Sequence, residues 1–310
     1  MDCIKGDDGT LLDNTQSVLK RWKQHFDTLL NDSDSNEVFL NKSKNEFNTE
    51  DDTNIYEFMN ESIRREEIEN ALARMKVGKS AGMDGISAEF LKYGGIAVIL
   101  WLVKLFNLCF INGCVPEDWN KSCIVPLYKG KGDVRMCGSY RGISLLSVVG
   151  KVYGKVIIER IREWTEHKVG EEQSGFRAGR GCMDQVFAVR QIVEKMLDKH
   201  KDVYFAFMDL EKAYDKIDRD ALWKVLSMYG VRGKLLNAVK SFYKGSVACV
   251  RIGNSTSDCF SVNVGLRQGC VMSPWLFNVY MDGVVREVKD NTEGIGINLV
   301  DKNGVKWIMS

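Results

Sequence analysis

The chain is 310 residues long, 45% hydrophobic, and carries 43 Lys+Arg against 42 Asp+Glu. That length suits one large domain or two small ones with enough apolar residues for a core, and the charge balance excludes collagen-like, acidic-tail and wholly disordered chains. The net charge of +1 conceals a gradient: residues 1–70 hold 8 basic and 17 acidic residues, whereas residues 71–180 hold 17 basic and 10 acidic, which fits either a polyanion-holding face or a solvated mixed-charge surface.

Taken in chain order, Leu11–Leu30 spaces Leu12, Val18, Leu19, Trp22, Phe26, Leu29 and Leu30 as an amphipathic helix. Residues 31–60, rich in Asn, Asp, Ser and Glu, read as a polar linker. A second helix is predicted from Ser62, as N-cap, to about Met75, and a long apolar helix from Ala88 to about Phe110. Between them, Gly78-Lys79-Ser80 looks like the end of a phosphate-binding loop, but Ala73 stands where that motif needs glycine and no apolar strand precedes it. Ser122–Tyr128 reads as a strand placed at a sheet edge by Pro126. Helices are predicted over Leu145–Val169, Met183–Leu197, Arg219–Tyr229, Lys234–Tyr243 and Ser273–Val288. Val203–Met208 reads as a strand ending on Asp209, Val247–Ile252 and Phe260–Val264 as a strand pair, and 295–309 as a hairpin. Helices and strands mix without regular alternation, so the class is α+β. The longest uncharged apolar run near the middle, Ile96–Val103, is too short for a bilayer, and no signal pattern opens the chain. A soluble intracellular protein without membrane contact is expected. The nine cysteines are an odd number without a secretion signal, which favours free thiols, and no histidine follows Cys109, Cys114 and Cys123 at zinc-finger spacing.

Four stretches carry chemistry. Phe207-Met208-Asp209-Leu210-Glu211-Lys212-Ala213-Tyr214-Asp215 puts a carboxylate at the end of a strand, where it can hold Mg²⁺ or simply cap the next turn. Gly265-Leu266-Arg267-Gln268-Gly269-Cys270 passes from strand to helix through two glycines, so backbone and a Gln side chain can approach a ligand, or merely turn. Pro126–Asp133 and Tyr140–Ser144 flank a glycine loop with Lys129 and Arg141, cations suited to phosphate. Gln173–Gly181 sets Arg177 and Arg180 on a glycine frame that also reads as a solvated loop.

In this order and spacing the blocks resemble the reverse transcriptase of non-LTR (LINE-type) retrotransposons, over nearly the whole chain. Arg21-Trp22-Lys23-Gln24-His25-Phe26 and the loop Gly78–Ile86 look like that family's upstream region, and the Arg21–Phe26 leader with the wording Glu211-Lys212-Ala213-Tyr214-Asp215 favours it over group II intron or retron polymerases. The resemblance implies a right-hand polymerase fold with fingers and a partial palm, the thumb absent: an N-terminal helix and acidic linker over 1–60, fingers over 61–180 and a partial palm over 181–310. It implies a two-metal Mg²⁺ site held by catalytic Asp209 with the Leu210 carbonyl. Lys129, Arg141, Tyr214 (as steric gate), Gln268 and Gly269 match nucleotide-binding positions, and Arg177 and Arg180 are expected along the template. Asp215 is expected to play a structural hydrogen-bonding role. The implied partners are an RNA template, a DNA primer and dNTP, and the implied setting is the nucleus at the integration site.

The sequence departs from the family in one respect. The further carboxylates come there from a Tyr/Phe-x-Asp-Asp hairpin, whereas no Asp-Asp pair occurs here after residue 52. The chain therefore reads as a truncated open reading frame that does not polymerise alone. The alternatives are a non-enzymatic nucleic-acid-binding remnant or a pseudogene product that hardly folds.

Overall fold

The computed structural model describes residues 3–31, 57, 59–291, 299–300 and 306–307. Most of the expected acidic linker lies outside the described residues. The chain opens with β1 (Ile4–Lys5) paired antiparallel to β2 (Leu11–Leu12), so Leu11 and Leu12 form a strand rather than the start of the helix. Helix α1 (Thr15–Asn31) follows Asn14, whose Oδ1 accepts from the Gln16 amide at 2.8 Å and stops the helix from extending backwards. Next, α2 (Arg65–Ala73) has Arg64 as its N-cap, two residues later than the expected Ser62. The Glu67 carboxylate reaches back to the Arg64 amide at 2.8 Å, while the Ser62 carbonyl is taken by buried Arg160 at 3.1 Å.

The long apolar stretch splits into α3 (Ala88–Tyr93) and α4 (Gly95–Asn112), because Gly95 adopts φ 70°. By length and composition α4 could cross a membrane, longer than the run read from the sequence, since Lys104 interrupts the uncharged stretch but not the helix. It buries Leu102, Phe106, Cys109 and Phe110, and leaves Ile96, Leu100, Trp101, Leu108 and Ile111 exposed. In the preceding loop the Gly78 amide donates to the Glu89 carboxylate, so a side chain of the protein occupies that glycine turn.

After α5 (Glu117–Asn120) comes β3 (Lys121–Tyr128), paired antiparallel with β4 (Tyr140–Leu145). Helices α6 (Val148–Thr165), α7 (Cys182–Asp198), α8 (Arg219–Met228) and α9 (Gly233–Ser241) lead to β5 (Val247–Ile252). Strand β5 pairs parallel with β3 over Lys121–Ile124 and antiparallel with β6 (Ser255–Thr256) and β7 (Phe260–Ser261). Thus β3 is central, not an edge. Pro126 is tolerated because the β5 pairing stops two residues before it. Helix α10 (Ser273–Asn291) and the pair β8 (Leu299–Val300) and β9 (Lys306–Trp307) complete the chain.

One sheet face packs Ile124, Ala248, Val250 and Phe260 against Val18, Trp22 and Phe26 of α1. Trp22 is fully buried, stacked on Phe26 and edge-on to Tyr140 at 5.1 Å; each such side chain taken from water stabilises by about 1.5–3 kcal/mol. The larger core joins Tyr153, Ile157 and Ile161 of α6 to Leu222 of α8, Val239 of α9 and Trp275 of α10. It therefore runs through both 61–180 and 181–310. Arg160 fastens residues 59–62 to it: its guanidinium meets both Glu67 carboxylate oxygens at 2.6 and 2.8 Å and the Met59, Glu61 and Ser62 carbonyls.

Candidate functional site

The two most informative sequence stretches meet. Residues 211–216 form a turn in which the Asp215 amide donates to the Lys212 carbonyl at 2.9 Å. Against it lies the Gly265–Cys270 turn: the Leu266 amide donates to the Tyr214 carbonyl at 2.7 Å and the Gly265 amide to the Ile217 carbonyl at 2.8 Å. Gln268 Nε2 closes the joint by donating to both Asp215 carboxylate oxygens, at 2.9 and 3.0 Å. Both glycines are needed. A Cβ on Gly265 (φ +77°) would lie 2.5 Å from the Asp215 carbonyl oxygen, and one on Gly269 (φ +107°) 2.8 Å from that of Ser144. The Ser144 amide donates to the Gln268 carbonyl at 2.8 Å, which carries the joint onto β4. Asp215 is buried, and burial raises its pKa against the lowering effect of the Gln268 hydrogen bond and of Lys212 and Lys129.

Two buried arginines fix this turn, and neither stood out in the sequence. Arg219 donates to the Val262, Val264 and Gly265 carbonyls at 2.8, 3.1 and 3.0 Å. Arg267 donates to the Trp119 carbonyl at 3.0 Å, the Asn120 carbonyl at 3.4 Å, the Ser246 hydroxyl at 2.7 Å and the Phe242 carbonyl. Both guanidinium groups also lie over the Tyr243 ring, at 4.9 and 5.4 Å. Burial draws the Arg219 pKa down to about 10. The available signal for Arg267 was its place inside the Gln-Gly block; nothing local marks Arg219.

The β3–β4 hairpin brings Lys129 and Arg141 to the same side of the molecule. Lys129 Nζ donates to the Gly138 carbonyl at 2.8 Å, and Arg141, exposed and paired in register with Leu127, has no ion-pair partner among the described residues. Half-buried His25 of α1 faces a cationic neighbourhood. Burial, then Arg21, Lys212 and Lys129, push its pKa down to about 4, with Asp7 opposing. Its neutral form is thus preferred in the fold, while the unfolded chain titrates near 6.5. The resulting stability is present above about pH 6.5 and lost as pH falls towards 4. We expect His25→Phe to remove up to about 2 kcal/mol of this acid sensitivity, seen as a flatter dependence of the urea midpoint on pH between 7 and 4. An unchanged slope refutes the prediction.

The remaining sequence-derived candidates are placed differently from one another. Val203–Met208 is not a strand: among the described residues no backbone hydrogen bond reaches it, and Tyr204, Phe207 and Met208 are 91%, 89% and 90% exposed. The physical reason is that no strand among the described residues lies beside it; a β-prone run becomes a strand only when a partner supplies the ladder. Asp209 and Leu210 at its end are exposed, and among the described residues no group of three His, Cys, Asp or Glu side chains converges there or elsewhere. Tyr214 stacks on Phe277 at 4.6 Å, its buried hydroxyl without a partner among the described residues. Arg177 is buried, not along an open surface. It donates to the Glu166 carboxylate at 2.8 Å and to the Glu166, Gly170 and Gln173 carbonyls, so the Gln173–Gly181 loop is anchored through Arg177 while Phe176 and residues 178–180 stay exposed to solvent. Arg180 remains at the surface, paired with both oxygens of the Glu171 carboxylate.

Comparison with known proteins gives a consistent result. Residues 128–302 match the family described as reverse transcriptase (RNA-dependent DNA polymerase). The chain is 28% identical to the "Probable RNA-directed DNA polymerase from transposon BS" of Drosophila melanogaster over 70% of this chain and 24% of that protein. It is 31% identical to the "Putative 115 kDa protein in type-1 retrotransposable element R1DM" of the same organism, over 72% of this chain and 21% of that protein. It is 25% identical to the "RNA-directed DNA polymerase from mobile element jockey" of Drosophila funebris, over 70% and 24%. The matched region therefore spans about a quarter of the length of these relatives.

Proposed function

The chain belongs to the reverse transcriptase family, and from that membership we propose that it supplies the nucleotide- and template-holding part of the RNA-directed DNA polymerase of a non-LTR retrotransposon. The observation that carries this reading is the joint between residues 214–217 and 265–269, closed by Gln268 on Asp215 and continued onto β4 through Ser144. In this reading residues 61–180 act as fingers and 181–310 as palm, in a right-hand arrangement. The reaction joins a primer 3′-hydroxyl to the α-phosphate of a dNTP and releases pyrophosphate. Lys129 and Arg141 hold the triphosphate by charge-assisted hydrogen bonds. The Tyr214 ring, fixed on Phe277, limits room at the sugar. Gln268 and Gly269 present backbone to the nucleotide, and Arg180 lies towards the template strand.

Reverse transcriptases work with divalent metal ions such as Mg²⁺, which supply electrostatic stabilisation of the transferring phosphoryl group. Asp209 and the Leu210 carbonyl, exposed and without partners among the described residues, can each meet a hard cation. One carboxylate and one carbonyl do not make a two-metal site, so the described residues alone do not fit two Mg²⁺ ions. That observation favours a second reading, binding of template and primer without catalysis.

Both readings meet in one experiment on the purified 310-residue chain. Fluorescence anisotropy with an RNA-template/DNA-primer hybrid is expected to show binding that falls steeply with salt, as counterion release requires. Added dNTP is expected to cross-link near the hairpin, with Lys129→Ala and Arg141→Ala each weakening it about tenfold. Salt-independent binding, or dNTP retention unaffected by both substitutions, would sink the proposal. Mg²⁺-dependent extension abolished by Asp209→Ala would set aside the second reading.

A further inference from the structure

Outside this site, three sulfur atoms come together where no catalytic role needs them. Cys123 on β3 and Cys249 on β5 are directly opposed in the parallel register. Both sit on the sheet face away from α1, since their neighbours Ile124, Ala248 and Val250 pack under that helix. Both are buried, at 4% and 2% exposure, with their side chains adjacent on the same face of neighbouring strands. Met83, from the glycine loop ahead of α3, lies against this pair, its Sδ 4.0 Å from Cys249 Sγ. Buried Cys109, Cys137 and Cys270 belong to the two hydrophobic cores; Cys123 and Cys249 belong to neither.

We propose that Cys123, Cys249 and Met83 form a three-sulfur site for a soft monovalent cation, copper(I). Three sulfurs around one ion at a metal–sulfur distance of about 2.3 Å stand about 4.0 Å apart in a trigonal plane, which is the spacing between Met83 and Cys249. Thiolate plus thioether is a soft donor set that selects copper(I), whereas zinc takes four donors and a thioether serves it poorly. A disulfide fits less well. Side chains directly opposed on parallel strands hold their Cβ atoms near the strand spacing of about 4.8 Å, beyond the mean of about 3.8 Å in a disulfide. The adjacent Cys249 thiol, together with Arg251 two residues along the same face, holds the Cys123 thiol below the usual thiol range despite its burial, while Cys123 and burial push the Cys249 thiol up. Binding releases the two thiol protons to solvent and leaves the oxidation state of the metal unchanged. Met83, 52% exposed, is the door.

The test is an anaerobic titration of the whole chain with copper(I) held by bicinchoninate, followed by X-ray absorption at the copper edge. Wild type is expected to withdraw one tightest equivalent and to show three sulfurs at about 2.3 Å. Cys249→Ala is expected to lose that equivalent. Met83→Leu, on an exposed side chain that does not threaten folding, is expected to weaken it at least about tenfold and to leave two sulfurs. Cys182→Ser, at an exposed cysteine elsewhere, is expected to keep it. Retention of the tightest equivalent in a folded Cys249→Ala chain, or an unaltered copper edge in Met83→Leu, overturns the proposal.

Discussion

Gly265→Val is expected to break the joint on which the candidate site stands, lowering stability by roughly 3–5 kcal/mol and abolishing detectable dNTP cross-linking. Two costs add. The residue holds φ +77°, where a β-branched side chain is strained by about 1–3 kcal/mol. Its first side-chain carbon would also meet Asp215 backbone atoms at 2.5, 2.8 and 2.9 Å, contacts that no rotamer relieves. Backing away separates the Leu266–Tyr214 and Gly265–Ile217 hydrogen bonds, and with them Gln268 from Asp215. Gly269→Ala is the graded comparison: its Cβ would meet one Ser144 oxygen at 2.8 Å, so it disturbs the link to β4 and leaves the Asp215 contact in place. Urea midpoints of the two variants measure the difference. A Gly265→Val midpoint equal to that of wild type shows that the close approach does not exist.

Arg267→Met is expected to cost about 3–5 kcal/mol, although it replaces a buried charge with an apolar chain of similar length. The guanidinium is the donor for three carbonyls and the Ser246 hydroxyl, from α5, the residue after α9 and the turn before β5. Methionine removes the donor from the Trp119 and Asn120 carbonyls and leaves the Phe242 carbonyl only a 3.5 Å contact from the Ser246 hydroxyl, at about 1–3 kcal/mol per lost partner before relaxation or water entry. Arg267→Lys is expected to rescue little, because one ammonium cannot reproduce the fork that reaches Trp119, Phe242 and Ser246 together. Equilibrium denaturation followed by tryptophan fluorescence reads this out, Trp119 being next to the lost contacts. Stability in Arg267→Lys close to that of wild type would show that charge, not geometry, is what the site needs.

Much of this was legible in the residues. Apolar periodicity located α1, α6 and the α8–α9 pair to within a few positions, because each buries one continuous stripe. A structural hydrogen-bonding role was expected for Asp215, but Gln268 as its partner was not, because the sequence marked Gln268 only as a nucleotide-binding position. What remained hidden was set by distant partners. Strand β4 was not read as an element because its ladder comes from β3; Val203–Met208 looked like a strand although nothing among the described residues pairs with it. Arg177 looked exposed because its carbonyl acceptors, at Glu166, Gly170 and Gln173, are backbone atoms whose positions no side-chain pattern encodes.

The parallel pairing of β3 with β5 also dictates when the protein can mature. Lys121–Ile124 acquires its second neighbour only from Val247–Val250, across the whole of α6 to α9. Such a long loop must close before the contact rewards it, and synthesis delivers the chain from the N-terminus at about 5–20 residues per second. For several seconds of translation the hairpin that carries Lys129 and Arg141 has a bare flank, open to holdase chaperones or to strands of neighbouring nascent chains. Rare codons or pauses between 145 and 247 would prolong that interval, so yield of folded protein should follow elongation speed through this stretch.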